Sequence, residues 1–147
     1  GIDGIWSSPT LRARQTAELL VADNAVPYGL DHALRDMERG PWQGLAESDV
    51  ALRFPEEWAT WSLTPSRLEL EGRETLNHLR DRVVSTLARI LSLHRAALCV
   101  THLDAIRVAC LHCAGESLDR FAAVTLPRAT VLEFSWQHGH CRTRLLD

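Results

Sequence analysis

The middle of the chain predicts a helix, a strand and a second helix in immediate succession. From residue 72 to residue 94, apolar side chains recur at steps of three and four residues, which is the spacing of a helix that buries one face. The side chains on this face are Leu76, Leu79, Val83, Leu87, Ile90 and Leu91. Residues 96–101 then form a continuous apolar run, which is typical of a strand buried on both faces of a parallel sheet. Together with a second helix over residues 104–114, ended by Gly115, this order favours an α/β fold.

Strands and helices alternate along the rest of the sequence as well. In chain order, the predicted elements are a strand (4–7), a helix (9–23), a strand (30–37), one or two short helices (46–61), a short helix (118–123), a strand (130–136), a hairpin turn (His138-Gly139-His140) and a final strand (141–146). This alternation predicts a single domain over residues 1–147, folded as a three-layer α/β/α sandwich with a mostly parallel sheet and an antiparallel edge hairpin.

The composition is that of an ordinary globular protein. The 147 residues are enough to bury a core, and 46% are hydrophobic while 24% are charged. No apolar stretch approaches the roughly 18 residues that a membrane span needs, and no secretory signal opens the chain. The net charge of -3 lacks the basic character of nucleic-acid-binding proteins. We therefore expect neither a nucleic acid nor a membrane as a partner.

Four cysteines lie late in the chain, at Cys99, Cys110, Cys113 and Cys141. Their small number and their clustering are unlike a disulfide scaffold, and we therefore predict a reducing, cytoplasmic location. Cys110 and Cys113 form a C-x-x-C pair, which has three interpretations: a redox pair, part of a zinc site with His138, His140 or Cys141, or buried cysteines on a core-facing helix. The third is favoured because the pair lies inside a predicted helix and its spacing matches no standard zinc module. We accordingly expect no metal and no cofactor.

Two predicted strands end in polar residues that lead directly into helices. Ser7 and Ser8 follow the first strand, and Thr101 and His102 follow the apolar strand. Ligands of parallel sheets bind beyond the carboxyl ends of the strands. A protonated His102 at this position donates hydrogen bonds to an anion, whereas the alternative is a histidine that packs against the loop at the start of a helix. Its position alone leaves both alternatives open.

Arg12 and Asp36 are further candidates for an anion site. Arg12 lies one turn inside the first helix, whose unpaired backbone amides and dipole favour a phosphate, although most single arginines are simply solvated. All 16 cationic residues are arginines, whose planar guanidinium suits phosphate oxygens. Asp36 is either a proton donor, if a dry site or a bound phosphate favours its protonated form, or a carboxylate at the end of a strand.

Three large aromatic residues precede the amphipathic helix, at Trp42, Trp58 and Trp61. They either line a cap above the phosphate site or belong to the hydrophobic core, and the core is the favoured interpretation because indole rings bury a large apolar area. The sequence alone does not separate the two.

Four segments resemble, in this order, successive blocks of the histidine phosphatase superfamily, whose members share the phosphoglycerate-mutase-like fold. The segments are SSPTLRARQTAELL, LRDMERGPWQGL, GRETLNHLRDRV and CVTHLDAIRVACLHCAG. The resemblance implies that Arg12 binds the transferred phosphoryl group, that Asp36 protonates the leaving oxygen and that His102 hydrogen-bonds the phosphoryl oxygens. It also implies a phosphomonoester hydrolase that forms a phosphohistidine on another histidine, needs no metal and acts on a small phosphorylated metabolite.

The sequence departs from the family pattern in three places, one of which is Asp36, where the family more often has the longer glutamate. It contains no Arg-His-Gly motif, which in the family ends the first strand and carries the nucleophilic histidine. We therefore expect the chain to be N-terminally truncated, to lack the first strand of the sheet and to be inactive alone. Leu103 and Asp104 follow His102, where the family often has Gly-Gly. The alternative function is a catalytically dead phosphate-binding or interaction module of the same fold.

Loss of the first strand has a structural consequence. In the family that strand lies in the middle of the sheet, so its absence leaves two neighbouring strands with unpaired edges, which invite pairing with another chain. We predict that the isolated chain is marginally stable or forms a homodimer through these edges.

Overall fold

The computed structural model describes residues 1–137 and 140–146. Its strands are β1 (Gly4–Ser7), β2 (Tyr28–Leu30), β3 (Ala97–Val100), β4 (Val131–Gln137) and β5 (His140–Leu146). Its helices are α1 (Leu11–Asn24), α2 (Glu47–Arg53), α3 (Pro55–Leu63), α4 (Leu76–Leu93) and α5 (Leu103–Ala114), with 3-10 turns at His32–Leu34, Gly40–Trp42, Pro65–Arg67 and Leu118–Ala123. The predicted alternation of strands and helices is confirmed. Within the described ranges, no helix is both long enough and apolar enough to cross a membrane.

The chain divides into two compact units. The first consists of Gly1–Met37 and Asp81–Ile106, and the second consists of Glu38–Arg80 and Arg107–Asp147. Both α4 and α5 therefore contribute residues to each unit. The single domain over residues 1–147 stays a prediction.

The first unit contains a three-stranded parallel sheet in the order β2-β1-β3. The register pairs Ile5 in the central strand with Tyr28 on one side and with Leu98 on the other. Ile5 and Ser7 in this central strand are fully buried. Among the described residues, β3 pairs with β1 alone, and its four residues are half-buried rather than buried on both faces as predicted.

The helices of the first unit pack through small or regularly spaced apolar residues. Ala13 and Ala17 are buried on α1, which lies against β1 and β3. On the part of α4 that belongs to this unit, Val83 and Ile90 are buried, as the amphipathic pattern predicted. The sequence therefore identifies the buried face of α4 from its spacing alone.

The predicted strand over residues 30–37 is wrong. β2 ends at Leu30, and the turn His32–Leu34 follows it directly. The Asp31 carboxylate caps this turn by accepting a hydrogen bond of 2.7 Å from the Ala33 backbone amide. Leu34 and Met37 are buried beyond the cap, so the apolar residues that suggested a strand anchor a capped turn and a loop instead.

The second unit contains the C-terminal hairpin. β4 and β5 pair in antiparallel fashion from Val131 opposite Leu146 to Gln137 opposite His140, which confirms the predicted hairpin. In the hydrogen bonding of the described residues the two strands form a sheet of their own. The predicted turn residues His138 and Gly139 lie outside the described residues.

An aromatic cluster fills the core of the second unit. Trp42 is buried at its centre, and Trp58 and Trp61 pack against it. The Arg73 guanidinium lies 4.8 Å from the centroid of the Trp42 ring and 4.2 Å from that of Trp61, so both rings make cation–π contacts with it. The core interpretation of the three tryptophans is confirmed.

A disulfide joins Cys113 in α5 to Cys141 in β5. The interpretation of the C-x-x-C pair as two buried thiols is therefore wrong for Cys113, because the fold brings together cysteines that are 28 residues apart in the sequence. Cys99 and Cys110 are free thiols, and burial raises the pKa of Cys99 to about 11 and also raises the pKa of Cys110. A redox pair of Cys110 and Cys113, and a zinc site that uses Cys141, are both incompatible with this pairing. The cytoplasmic location stays a prediction.

Candidate active site

The sheet brings the two predicted strand ends together. β1 and β3 are parallel neighbours with Ser7 opposite Val100, and the Ser8 backbone amide extends the pairing by donating to the Val100 carbonyl at 2.9 Å. Ser8 and His102 consequently lie close together beyond the carboxyl ends of β1 and β3, with 2.9 Å between Ser8 Oγ and His102 Nε2. Thr10 Oγ1 lies 3.3 Å from the same ring nitrogen.

The three predicted site residues meet at this end of the sheet. Arg12 Nη2 donates to Asp36 Oδ2 at 3.0 Å and lies 2.9 Å from His102 Nδ1. The Asp36 carboxylate oxygen is 3.8 Å from the same nitrogen of His102. The remaining oxygen of Asp36 accepts a hydrogen bond of 3.1 Å from the Met37 backbone amide. Arg12, Asp36 and His102 are called the phosphate cluster below.

The hydrogen bonds assign the tautomer of His102. A guanidinium has only donors, so the short contact between Arg12 Nη2 and His102 Nδ1 requires Nδ1 to accept. In the neutral ring the proton then resides on Nε2, which donates to Ser8 Oγ. In this tautomer His102 has no basic nitrogen facing Ser8, so it cannot activate the Ser8 hydroxyl as a nucleophile.

The surroundings of His102 favour its neutral form. Burial is the main cause that lowers the pKa of His102, and the positive charges of Arg12 and Arg82 lower it further. Asp36 and Asp104 oppose this effect. The sequence left the charge of His102 open, whereas burial in the folded chain favours the neutral imidazole.

Comparison with known proteins identifies the family. The sequence profile of the "Histidine phosphatase superfamily (branch 1)" matches residues 1–147. The chain belongs to this superfamily. It is 29% identical over 125 residues to Phosphoserine phosphatase 1 of Hydrogenobacter thermophilus, an alignment that covers 82% of the chain and 58% of the relative. The chain thus spans little more than half the length of this curated relative.

Two solved structures have the same fold as this chain. Bacillus stearothermophilus YhfR superimposes with a TM-score of 0.87 at 19% identity, over 98% of this chain and 73% of that one. The complex of mycobacterial glucosyl-3-phosphoglycerate phosphatase with inorganic phosphate superimposes with a TM-score of 0.77 at 22% identity, over 97% of this chain and 74% of that one. The predicted α/β fold with a parallel sheet and an antiparallel hairpin is confirmed by these likenesses.

Exposure of the side chains within the phosphate cluster increases from His102 to Arg12. The side chain of His102 is 6% exposed, that of Asp36 is 37% exposed and that of Arg12 is 66% exposed. An anion that approaches from solvent meets the Arg12 guanidinium first and reaches the imidazole last. The cluster also adjoins the first turn of α1, where backbone amides favour an anion. Neither nitrogen of His102 is free to attack a phosphorus atom in this tautomer.

Sequence reasoning did not assign roles to four residues that surround the cluster: Ser8, Thr10, Arg82 and Thr101. Ser8 and Thr10 lie inside the segment with the strongest family resemblance, and their hydroxyls next to an arginine were an available signal. Arg82 had no such signal, because the amphipathic pattern of α4 only places it off the apolar face. Within residues 1–137 and 140–146, no group of three or more His, Cys, Asp or Glu side chains is placed to hold a metal ion.

Proposed function

We propose that the phosphate cluster is the phosphate-binding part of a phosphomonoester hydrolase of the histidine phosphatase type. The observation that carries this proposal is the convergence of Arg12, Asp36 and His102 from three separate parts of the chain to distances between 2.9 and 3.8 Å. Phosphoryl transfer depends mainly on positioning and on donors around the phosphoryl oxygens, and this cluster supplies both.

Each member of the cluster has a proposed role. Arg12 binds the phosphoryl oxygens, and His102 donates a hydrogen bond to them from Nδ1 once the dianion has favoured protonation of the ring. Asp36 is displaced from Arg12 by the dianion, takes up a proton and delivers it to the leaving oxygen. In the complete reaction another histidine attacks phosphorus as the ester P–O bond breaks, and water then hydrolyses the phosphohistidine.

The 147-residue chain by itself is proposed to bind phosphate without turning over an ester. Its sequence contains no Arg-His pair, so the motif that carries the nucleophile in the family is not within it. His102 cannot replace that nucleophile, because its Nδ1 accepts from Arg12 and its Nε2 carries the proton. Hydrolysis of p-nitrophenyl phosphate by the purified chain would contradict this part of the proposal.

The proposed substrate is a small phosphorylated metabolite. The relative named phosphoserine phosphatase supports a phosphatase that acts on a small phosphate monoester. Hydrolysis is favoured over a mutase reaction, because the segment between Met37 and Gly72 is too short for the extended substrate-binding insertions of the mutases.

A catalytically dead phosphate-binding or interaction module is the second proposed function. It is supported by Asp104, a carboxylate that is 3% exposed and whose charge acts on His102. A buried negative charge near the site disfavours a dianion. The codons upstream of Gly1 in the source genome discriminate the two functions: an open frame that encodes Arg-His-Gly after a strand supports the phosphatase, and a stop codon or unrelated sequence supports the module.

A homodimer is proposed for the isolated chain. It is supported by β3, which pairs with β1 along one edge while no other strand of the described residues pairs with its second edge. An open edge of backbone donors and acceptors favours pairing with a second copy. Light scattering after size exclusion should give twice the 16.5 kDa mass of the chain, and a monomer at all concentrations would contradict the dimer.

Titration calorimetry of the chain with inorganic phosphate tests the proposed function. The wild-type chain should bind phosphate, and Arg12→Gln should weaken binding about tenfold to a hundredfold, as expected for loss of a charge-assisted hydrogen bond. Arg95→Gln is the matched control, because Arg95 is exposed at the opposite end of β3. Equal affinities for the wild-type chain and the Arg12 variant would overturn the proposal.

A further inference from the structure

The loop that carries Asp36 is held by side chains from outside it. Arg82 Nη1 donates to the backbone carbonyls of Ala33 at 2.7 Å and Arg35 at 2.9 Å, and Arg82 Nη2 donates to the carbonyl of Asp36 at 3.1 Å. The carbonyl of Leu34 accepts a hydrogen bond of 2.7 Å from Thr101 Oγ1. Four consecutive backbone carbonyls, those of residues 33–36, are therefore each satisfied by a side chain.

We propose that Arg82 is a positioning residue, whose guanidinium fixes the backbone of residues 33–36 so that the Asp36 carboxylate reaches Arg12 and His102. This inference rests on the proposed function of the phosphate cluster. Leu34 and Met37 are buried on either side of the half-buried Asp36, so the loop is anchored by apolar contacts as well. Apolar burial alone does not set the direction of a loop backbone, whereas three hydrogen bonds from one rigid group do.

An arginine suits this task better than a lysine. The planar guanidinium presents several N–H groups in a fixed arrangement, and here two of its nitrogens reach three carbonyls. A lysine ammonium is a single point of charge on a flexible stem and cannot hold the same three oxygens from two separate nitrogens.

Thr101 extends the same arrangement to the strand that carries His102. Its hydroxyl holds the Leu34 carbonyl, and the next residue along the chain is His102. The end of β3 thus fixes both the imidazole and the loop of the carboxylate. A displacement of the loop would move Asp36 away from His102, where 3.8 Å now separates Oδ2 from Nδ1.

The pKa of His102, measured by NMR titration of the full chain, reports the position of Asp36. Four charged groups act on the ring: Arg12 and Arg82 lower the pKa, and Asp36 and Asp104 raise it. Arg82→Lys keeps the positive charge but not the three hydrogen bonds. We expect Arg82→Lys to lower the pKa of His102 by most of the amount that Asp36→Asn lowers it, and to cause little further shift when combined with Asp36→Asn.

Arg89→Lys is the matched control for this experiment. Arg89 lies on the same helix and forms an ion pair with the Asp31 carboxylate at the start of the same loop, whereas the carbonyls of residues 33–36 accept from Arg82 and Thr101. It should leave the pKa of His102 unchanged. A pKa of His102 in Arg82→Lys equal to that of the wild-type chain, or a shift that adds fully to that of Asp36→Asn, would overturn the proposal.

A second pair of variants keeps the test valid if Arg82→Lys fails to fold, as judged by its amide NMR spectrum. Thr101→Val removes the hydroxyl donor at nearly constant shape and should lower the pKa of His102 in the same direction, whereas Thr101→Ser should restore it. Equal pKa values in the valine and serine variants would overturn the role assigned to the loop contacts. Phosphate binding by the wild-type chain is measured separately, so failure of the proposed function is distinguishable from failure of this inference.

Discussion

Two histidines flank β3, and their surroundings differ in kind. His94 precedes the strand, where its Nε2 accepts from Trp6 Nε1 at 3.1 Å and its Nδ1 faces Asp3 Oδ1 at 3.4 Å. His102 follows the strand, where its Nδ1 accepts from Arg12 and its Nε2 donates to Ser8. The hydrogen bonds assign opposite neutral tautomers to the two rings, with the proton on Nδ1 in His94 and on Nε2 in His102.

The difference shows what separates a structural histidine from a candidate for chemistry. The Trp6 partner of His94 belongs to the sheet, and Asp3 is fixed in turn because it accepts hydrogen bonds from the backbone amides of Arg95 and Ala96. These hydrogen bonds, that from Arg95 first, lower the pKa of Asp3. His102 instead contacts Arg12, which is mostly exposed and within reach of a ligand. Proximity of a carboxylate to a histidine therefore does not by itself identify an active site.

The largest expected effect concerns the packing around His94. A Cβ atom at Gly4 would overlap the His94 ring, so Gly4→Ala should reduce the free energy of unfolding by about 1–3 kcal/mol, the usual cost of overpacking. Thermal unfolding followed by circular dichroism measures this loss. The double variant Gly4→Ala/His94→Ala should recover part of it. Full stability of Gly4→Ala would show that the ring is not fixed at this end of the strand.

The second-largest effect is expected from removing the hydrogen-bond donor to His94, which should leave His102 unchanged. Trp6→Phe deletes the donor to His94 Nε2 and should move the tautomeric balance of His94 away from Nδ1–H, with no change at His102. The cost in stability should be about 1 kcal/mol, typical of one hydrogen bond. Ring ¹⁵N chemical shifts report both tautomers in one spectrum. A change at His102 of the same size would contradict the independence of the two ends of β3.

The stability of the chain should fall as the pH is lowered through the titration of His102. Because burial lowers the pKa of His102 below its ordinary value of 6.5, the unfolded chain binds more protons than the folded chain in this range. The neutral ring therefore contributes stability that is fully present above pH 6.5 and is lost as the pH falls towards the lowered pKa. Urea unfolding at pH 7.5 and pH 5 measures the difference in the free energy of unfolding between the two pH values. The substitution His102→Gln should reduce this difference. An unchanged pH dependence in that variant would contradict the assignment.

The smallest expected effect is the pH dependence of phosphate binding. A dianion beside Nδ1 favours the protonated ring, so the affinity of the wild-type chain for phosphate should rise as the pH is lowered from 8 to 6. Phosphate itself titrates in this range, and His102→Gln supplies the matched reference, because its residual pH dependence belongs to the ligand. Calorimetry of both proteins at pH 8 and pH 6 measures the part of the pH dependence that His102 causes. Equal pH dependences in the wild-type chain and in His102→Gln would show that the ring takes no part in binding.

The sequence predicted the regular parts of the fold well. The bounds of β1 agree with the prediction, and the apolar spacing of α4 identified Leu76, Leu79, Val83 and Ile90 as buried, because a local pattern determines both features. Leu87 and Leu91 on the same face are half-buried. Residues 30–37 were assigned wrongly because a side-chain cap at Asp31 overrides the apolar pattern. The pairing of Cys113 with Cys141 depends on the tertiary fold and leaves no local signal.

The sequence predicted which residues form the candidate site but not how their surroundings affect the pKa of His102. Arg12, Asp36 and His102 followed from the ends of strands and from the family resemblance, and the structure places them in contact. The lowered pKa of His102 depends mainly on burial. The contacts of Arg82 with the Asp36 loop join residues that are 46 to 49 positions apart in the sequence. Such contacts become visible only when the chain has folded.

Titration of the full chain with inorganic phosphate, followed by the ring signals of His94 and His102 in one NMR spectrum, tests the central claim most directly. The account predicts that the His102 signals shift in a saturable manner as Arg12 and the imidazole bind the anion, while the His94 signals stay in place. Unchanged His102 signals at saturating phosphate, or equal shifts of both histidines, would contradict a phosphate site at the carboxyl end of β3.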